Sequence, residues 1–237
     1  MTREGIDAAD VRRKVEKART LVRDRSARLV GFEAVEIQRF VAASSRPITI
    51  QGACEVLKAF DARNADLPET IFAGGARGLM RVAEDRLAAC IDQLTAAFTE
   101  QTVGLSLAVA DVPFDPAHEP ESLRWLWLAQ RSAHDACAPE RIDFAAFRGA
   151  SCTDCRARPG ERPSPKPDAQ AGEKICARCD ALIKHGRSSQ YAAMERWTLE
   201  DVSEGDLVAV VNADGNRLGQ FFRSLRSLEA LCAGSLV

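Results

Sequence analysis

Two Cys-x-x-Cys pairs, Cys152/Cys155 and Cys176/Cys179, stand twenty residues apart in a chain of 237. No other feature of the sequence restricts the fold as tightly. Each pair can close into a knuckle whose two sulfurs face one cation, and two knuckles complete a tetrahedron with zinc–sulfur distances of about 2.3 Å. Four sulfurs leave no position for a substrate water, so a site of this kind is structural. Between the pairs runs Arg158-Pro-Gly-Glu-Arg-Pro-Ser-Pro-Lys-Pro, which is expected to form an exposed loop without regular structure. So few apolar residues need a metal to hold them shut. A redox pair and four unrelated thiols are the alternatives. His185 reads as a neighbour of the second knuckle. Cys54, Cys90, Cys137 and Cys232 stand singly in apolar helical stretches and read as buried core thiols.

The opening MTREGIDAAD is acidic and lacks the apolar core of a signal peptide. No apolar run approaches the ~20 residues of a membrane helix. A cytoplasmic protein is expected, and in that compartment paired cysteines point to metal rather than disulfide. The net charge of −2 argues against a uniformly basic nucleic-acid binder. Residues 1–30 and 141–190 each carry +4, against −7 over 31–140 and −3 over 191–237. The two basic segments either meet phosphates or are solvated faces.

Residues 8–27 are charged, with Val11, Val15, Ala18 and Val22 near helical spacing. Ala27 to Val35 is strand-like, Glu36 to Ala43 a short helix ended by Arg46-Pro47, and 50–60 a helix with Ala53, Cys54 and Leu57 on one side. Thr70-Ile-Phe-Ala runs into Gly74-Gly75 and Gly78-Leu-Met-Arg-Val runs out, which reads as a hairpin. Leu87, Ile91, Leu94 and Phe98 form an amphipathic helix stripe. Gly104 to Ala110 alternates as a half-buried strand. Pro113 and Pro116 mark a loop, and a helix follows from about Pro120 to Cys137, whose Trp125/Trp127 stretch reads as core or subunit interface rather than a base-stacking platform. One sheet with helices on one face accommodates this order, as in ferredoxin-like α+β domains. Further on, Asp206-Leu-Val-Ala-Val-Val reads as a buried strand, and Leu218, Phe221, Phe222, Leu225 and Leu228 as a helical stripe. Asp214 falls where that strand ends and the helix begins. A carboxylate there can hold magnesium and nucleotide phosphates, while Asp-Gly-Asn is equally a good turn former.

Three pieces in this order resemble one family: Ile71-Phe-Ala-Gly-Gly-Ala-Arg-Gly-Leu-Met, the two cysteine knuckles, and Val211-Asn-Ala-Asp-Gly-Asn-Arg-Leu-Gly-Gln-Phe-Phe. Glu36-Ile-Gln-Arg-Phe-Val and Gln51-Gly-Ala-Cys-Glu-Val-Leu fit the same scheme. Over roughly residues 28–230 the chain is similar to the large Palm-type subunit of type III CRISPR effector complexes. The resemblance implies an N-terminal helix (1–27), a ferredoxin-like palm (28–148), a four-cysteine zinc module (149–190) and the opening strand and helix of a second palm (191–237). It implies structural Zn2+ on Cys152, Cys155, Cys176 and Cys179. It also implies Mg2+ and ATP in a cleft between 70–80 and 206–222, with Gly74, Gly75, Gly215 and Asn216 at the nucleotide and Asp214 as the catalytic acid. The expected partners are the other effector subunits, guide RNA and a companion chain carrying the second palm.

In this family the second palm makes cyclic oligoadenylates from ATP, using a first-strand aspartate and a Gly-Gly-Asp-Asp hairpin. Asp214 matches the first element, and the chain reaches Val237 before a second hairpin. Gly74-Gly75 is followed by Ala76-Arg77, and the corresponding first-strand position offers only Glu33. The first palm is therefore expected to hold no catalytic magnesium. The dipeptide His134-Asp135 is out of place for the family's HD nuclease domain and reads as coincidence. A scaffold that is non-catalytic alone is the expectation. A compact nucleotidyltransferase using Asp214, and a zinc-stabilised nucleic-acid-binding module, are the alternatives.

Overall fold

Strand β1 (Ala27–Ala34) is buried along nearly its whole length, as a central strand covered on both faces must be. The structure, a computed structural model, describes residues 27–44, 46–137, 149–165 and 169–189, with the single positions 13, 16, 192, 227 and 228. The expected N-terminal helix therefore lies outside the described residues apart from Arg13 and Glu16, both helical. β1 pairs on one side with β3 (Arg77–Ala83) and on the other with β4 (Leu107–Pro113), and β2 (Thr70–Gly74) edges β3. The four-stranded sheet is antiparallel in the order β2-β3-β1-β4. Helices α1 (Ile37–Val41) and α2 (Pro47–Ala65) join β1 to β2, α3 (Leu87–Thr102) joins β3 to β4, and α4 (Glu119–Ala136) follows.

The period-2 geometry of β1 sorts its side chains to two faces. Val30, Phe32 and Ala34 meet Ala53, Val56 and Phe60 of α2 and Leu94 and Phe98 of α3. Edge-on rings tie this layer together, with Phe32 to Phe60 at 5.8 Å and Phe60 to Phe98 at 4.7 Å between centroids. Leu29 and Leu79 point the other way, to Leu123 and Leu126 of α4. The helices thus cover both faces of the sheet, not one. The apolar stripe of α4 shows that it must pack, while the face it chooses follows from the apolar residues at both parities of β1.

The hairpin forms where expected. Its two turn residues, Gly75 and Ala76, have φ of 65° and 56°, the primed-turn conformation that matches strand twist. Glycine adopts it freely and alanine does not. Ala76 is held there by its N–H, which donates to the Asp61 carboxylate of α2 at 3.0 and 3.1 Å. At Gly104 the expected strand start is instead the end of a helix. Val103 and Gly104 are left-handed, and Gly104 N–H donates back to the Thr99 carbonyl at 2.9 Å, so α3 is capped and β4 begins three residues later. No helix among the described residues is long and apolar enough to cross a membrane.

Candidate metal centre

The cysteine-bearing segment folds around its own knuckles. Cys152 N–H donates to the Arg158 carbonyl at 2.7 Å and Arg156 N–H to the Cys152 carbonyl at 3.0 Å, closing the first. The second opens α5 (Ala177–Ser188), with Cys176 as its N-cap and Cys179 in its first turn. In each pair the later amide points at the earlier sulfur, Cys155 N–H to Cys152 Sγ at 3.5 Å and Cys179 N–H to Cys176 Sγ at 3.4 Å. Donors aimed at sulfur stabilise thiolate. The loop between the pairs, expected to lack regular structure, carries a short ladder in which β5 (Arg162–Pro163) pairs with β6 (Lys174–Ile175). Pro163 is tolerated because the flanking residues donate, Glu161 N–H to Ile175 O at 3.0 Å and Ser164 N–H to Glu173 O at 2.9 Å.

All four sulfurs lie within 4.8 Å of one another, and Cys155 Sγ sits 3.9 Å from Cys176 Sγ. That is far beyond a disulfide bond of about 2.05 Å and close to the edge of a tetrahedral thiolate cage, about 3.8 Å for bonds of 2.3 Å. Crowding drives the proton affinities apart. Hydrogen bonds from Cys155, Cys176 and Cys179 hold the Cys152 thiol far below its usual range, and contacts with Cys152 and Cys155 push Cys176 and Cys179 far above it. Cys155 is also lowered, to about 7, so the crowding opposes loss of the protons on Cys176 and Cys179, which a dication can replace. The four cysteines can therefore hold a metal ion. His185 is exposed on α5 and is not one of the group. The expectation of buried core thiols is not met. Cys54, Cys90 and Cys137 are each half-buried, Cys90 packing against the core and Cys137 capping the end of α4, and Cys232 lies outside the described residues.

Three devices that sequence reading missed bind this centre to the helices that cover the sheet. Asp154, inside the first knuckle, accepts from Ser44 Oγ at 3.0 Å and Thr49 Oγ1 at 2.8 Å, with Arg46 Nε 3.9 Å away. Its side chain has no exposed surface. Arg178 on α5 donates from Nε and Nη2 to the Val103 carbonyl at 3.2 and 3.1 Å, and its guanidinium lies 5.5 Å from the Phe40 ring centre. That pairing serves a carbonyl left over at the end of α3. Finally, α2 and α5 cross with their backbones in contact. A Cβ on Gly52 would fall 1.8 Å from the Leu182 carbonyl oxygen, and one on Gly186 would fall 2.3 Å from that of Ile48. Ile48 completes the small apolar cluster of Cys152, Ile175, Cys176, Cys179 and Ile183. A lone Asp and two separated glycines carry no periodic signal.

Asp214, Gly215 and Asn216 lie outside the described residues, as does the expected strand at 206–211. Gly74 and Gly75 are exposed at the hairpin tip, on the rim of a cavity of about 600 Å³ between the sheet and α4. Glu33, the one acid expected near that tip, is ion-paired with Arg77. Of the two expected places, core or subunit interface, Trp125 is not in the core, being 64 % exposed, while Trp127 lines the cavity. Compared with protein-family models and with curated proteins, the chain matches none.

Proposed function

We propose that this chain is the first-palm and zinc portion of the large subunit of a type III CRISPR effector complex, a scaffold that performs no chemistry alone. What supports the reading is the antiparallel order β2-β3-β1-β4 with helical crossovers β1–α2–β2 and β3–α3–β4. That is the ferredoxin-like arrangement on which palm domains are built. It is joined to a tetrathiolate centre of the kind zinc fills. The non-catalytic part rests on the hairpin tip. A palm that holds magnesium presents free acids there, whereas here Arg77 follows the turn and neutralises Glu33. The zinc module fixes orientation, since Asp154 and the Gly52/Gly186 crossing tie it to α2 and Arg178 ties it to the end of α3. A nucleotide would lie near Gly74 and Gly75, with ATP and Mg2+ contributed from a second palm.

The test has two parts. Co-expression with effector subunits and guide RNA is expected to yield a complex containing the chain, and no association with any of them would overturn the assignment. The purified chain with ATP and Mg2+ is expected to make no oligoadenylate, and product formed by the isolated chain would overturn the non-catalytic reading. A second reading, a zinc-stabilised module that binds nucleic acid directly, draws on Arg156 and Lys174, which project exposed from the metal centre's loops. Binding to RNA that is insensitive to salt would exclude it.

A further inference from the structure

Two of the three large apolar side chains exposed among the described residues stand together on α4. Trp125 is 64 % exposed and Leu128 51 %. With Glu121 they are spaced four and three apart, so the three share one face of the helix. That face is opposite Leu123 and Leu126, which seal α4 to the sheet. Trp125 and Leu128 also border an open groove of about 740 Å³ between α4 and β4, walled by Val112, Pro113 and Ala129. β4 is the outermost of the described strands on this side, so no described strand closes the groove. A large aromatic and a leucine side by side in water, next to an apolar groove, mark a surface made to be covered.

We propose that this face pairs with the same face of a second copy of the chain, the two α4 helices running antiparallel about a twofold axis between Trp125 and Leu128. The charges on the helix select this occupant. The exposed acid Glu121 lies about 8 Å along α4 on one side of that axis, and the exposed Arg131 about 7 Å on the other. A twofold therefore brings each Glu121 beside the second copy's Arg131, and both pairs form together. Arg131 is 77 % exposed at its side chain and reaches Asp135 only at 3.9 Å, a loose surface pair that is readily exchanged. The same operation sets each Trp125 over the second copy's Leu128, at the edge of a groove roomy enough for an indole. A parallel pairing would set Glu121 on Glu121 and Arg131 on Arg131. A basic partner segment would answer Glu121 and Asp115 but face the exposed Arg124 and Arg131 with like charge. The pairing goes beyond the proposed function and does not depend on it.

Sedimentation velocity of the full chain, from low to high micromolar concentration, is expected to show a monomer passing into a dimer. Trp125→Ala should weaken the dimer about thirtyfold or more, the loss typical of a central interface tryptophan. Glu121→Arg and Arg131→Glu should each weaken it about fivefold or more by setting like charges together at both symmetric contacts, and the doubly reversed chain should recover it. The charge reversals alter only exposed positions, so they keep the test decisive should Trp125→Ala fold poorly. A monomer at every concentration, a dimer indifferent to Trp125→Ala, or a double reversal no better than the single ones would overturn the pairing. Other occupants give distinct results, each of which also overturns it. A monomeric chain that loses capture by an effector subunit on Trp125→Ala assigns the face to that subunit. A monomeric chain whose Trp125 is shielded from acrylamide quenching, read as the difference from Trp125→Phe, assigns it to a segment of the chain outside the described residues.

Discussion

Asp154→Ala removes a carboxylate with no exposed side-chain surface, on which two hydroxyls converge and beside which a guanidinium sits. Each hydrogen bond to a charged group is worth about 1.5–3 kcal/mol. The released desolvation cost of the carboxylate offsets part of that loss, but Ser44, Arg46 and Thr49 are left facing a void. Breaking one side of a buried charged cluster typically costs about 3–5 kcal/mol, and that is the expected destabilisation. With a urea m-value of about 2–3 kcal/mol/M, the unfolding midpoint should fall by roughly 1–2 M. Because Asp154 lies between the two ligands of the first knuckle, the variant should also surrender its metal sooner to a competing chelator. A double-mutant cycle with Thr49→Val isolates the 2.8 Å contact and should return a coupling of about 1–2 kcal/mol. A wild-type midpoint for Asp154→Ala, or a coupling of zero, would refute the view that this carboxylate pins the metal module to α2.

Three further outcomes are expected. Cys152→Ser should lower bound zinc well below one equivalent and open the segment 149–189 to proteolysis, and a folded, zinc-replete variant would disprove the four-ligand site. Arg178→Ala should destabilise the chain by about 1–3 kcal/mol through the stranded Val103 carbonyl, with little rescue by lysine, which lacks the planar fork; full rescue in thermal melts would contradict the geometry. Burial raises the Asp61 carboxyl above its ordinary value of 3.8, against the lowering pull of the Ala76 and Gly75 N–H groups. The folded chain then holds that proton more tightly than the unfolded one, so its contribution to stability is complete below 3.8 and disappears as pH rises through the folded value. Asp61→Asn cancels this titration, and its stability relative to wild type should climb with pH across that window. A flat difference in urea midpoints would count against the assignment.

The parts of the fold legible in the sequence are those written in repeats. Two short runs around paired glycines exposed the hairpin, the Leu87–Phe98 stripe exposed α3, and the doubled Cys-x-x-Cys exposed the tetrathiolate group. Residues that act singly escaped notice. Asp154 looks like any loop acid, and Gly104 like the start of a strand until the cap it makes is seen. Which face α4 covers was hidden for another reason. A stripe reports that a helix has an inside, and only the pairing of β1 between β3 and β4 reveals two faces in need of cover.

The crossing of α2 and α5 has a thermodynamic reach. Gly52 and Gly186 let two backbones touch, so the helix that carries Cys179 cannot shift without disturbing the helix that covers the sheet. Ligation follows mass action, and every increment in free metal stabilises the liganded fold by RT ln(1 + [metal]/Kd). Rigid docking passes that increment on to strands that touch no ligand. A metal held by the four cysteines would therefore stabilise the β-sheet as well, and its removal by a chelator is expected to lower the sheet's resistance to unfolding.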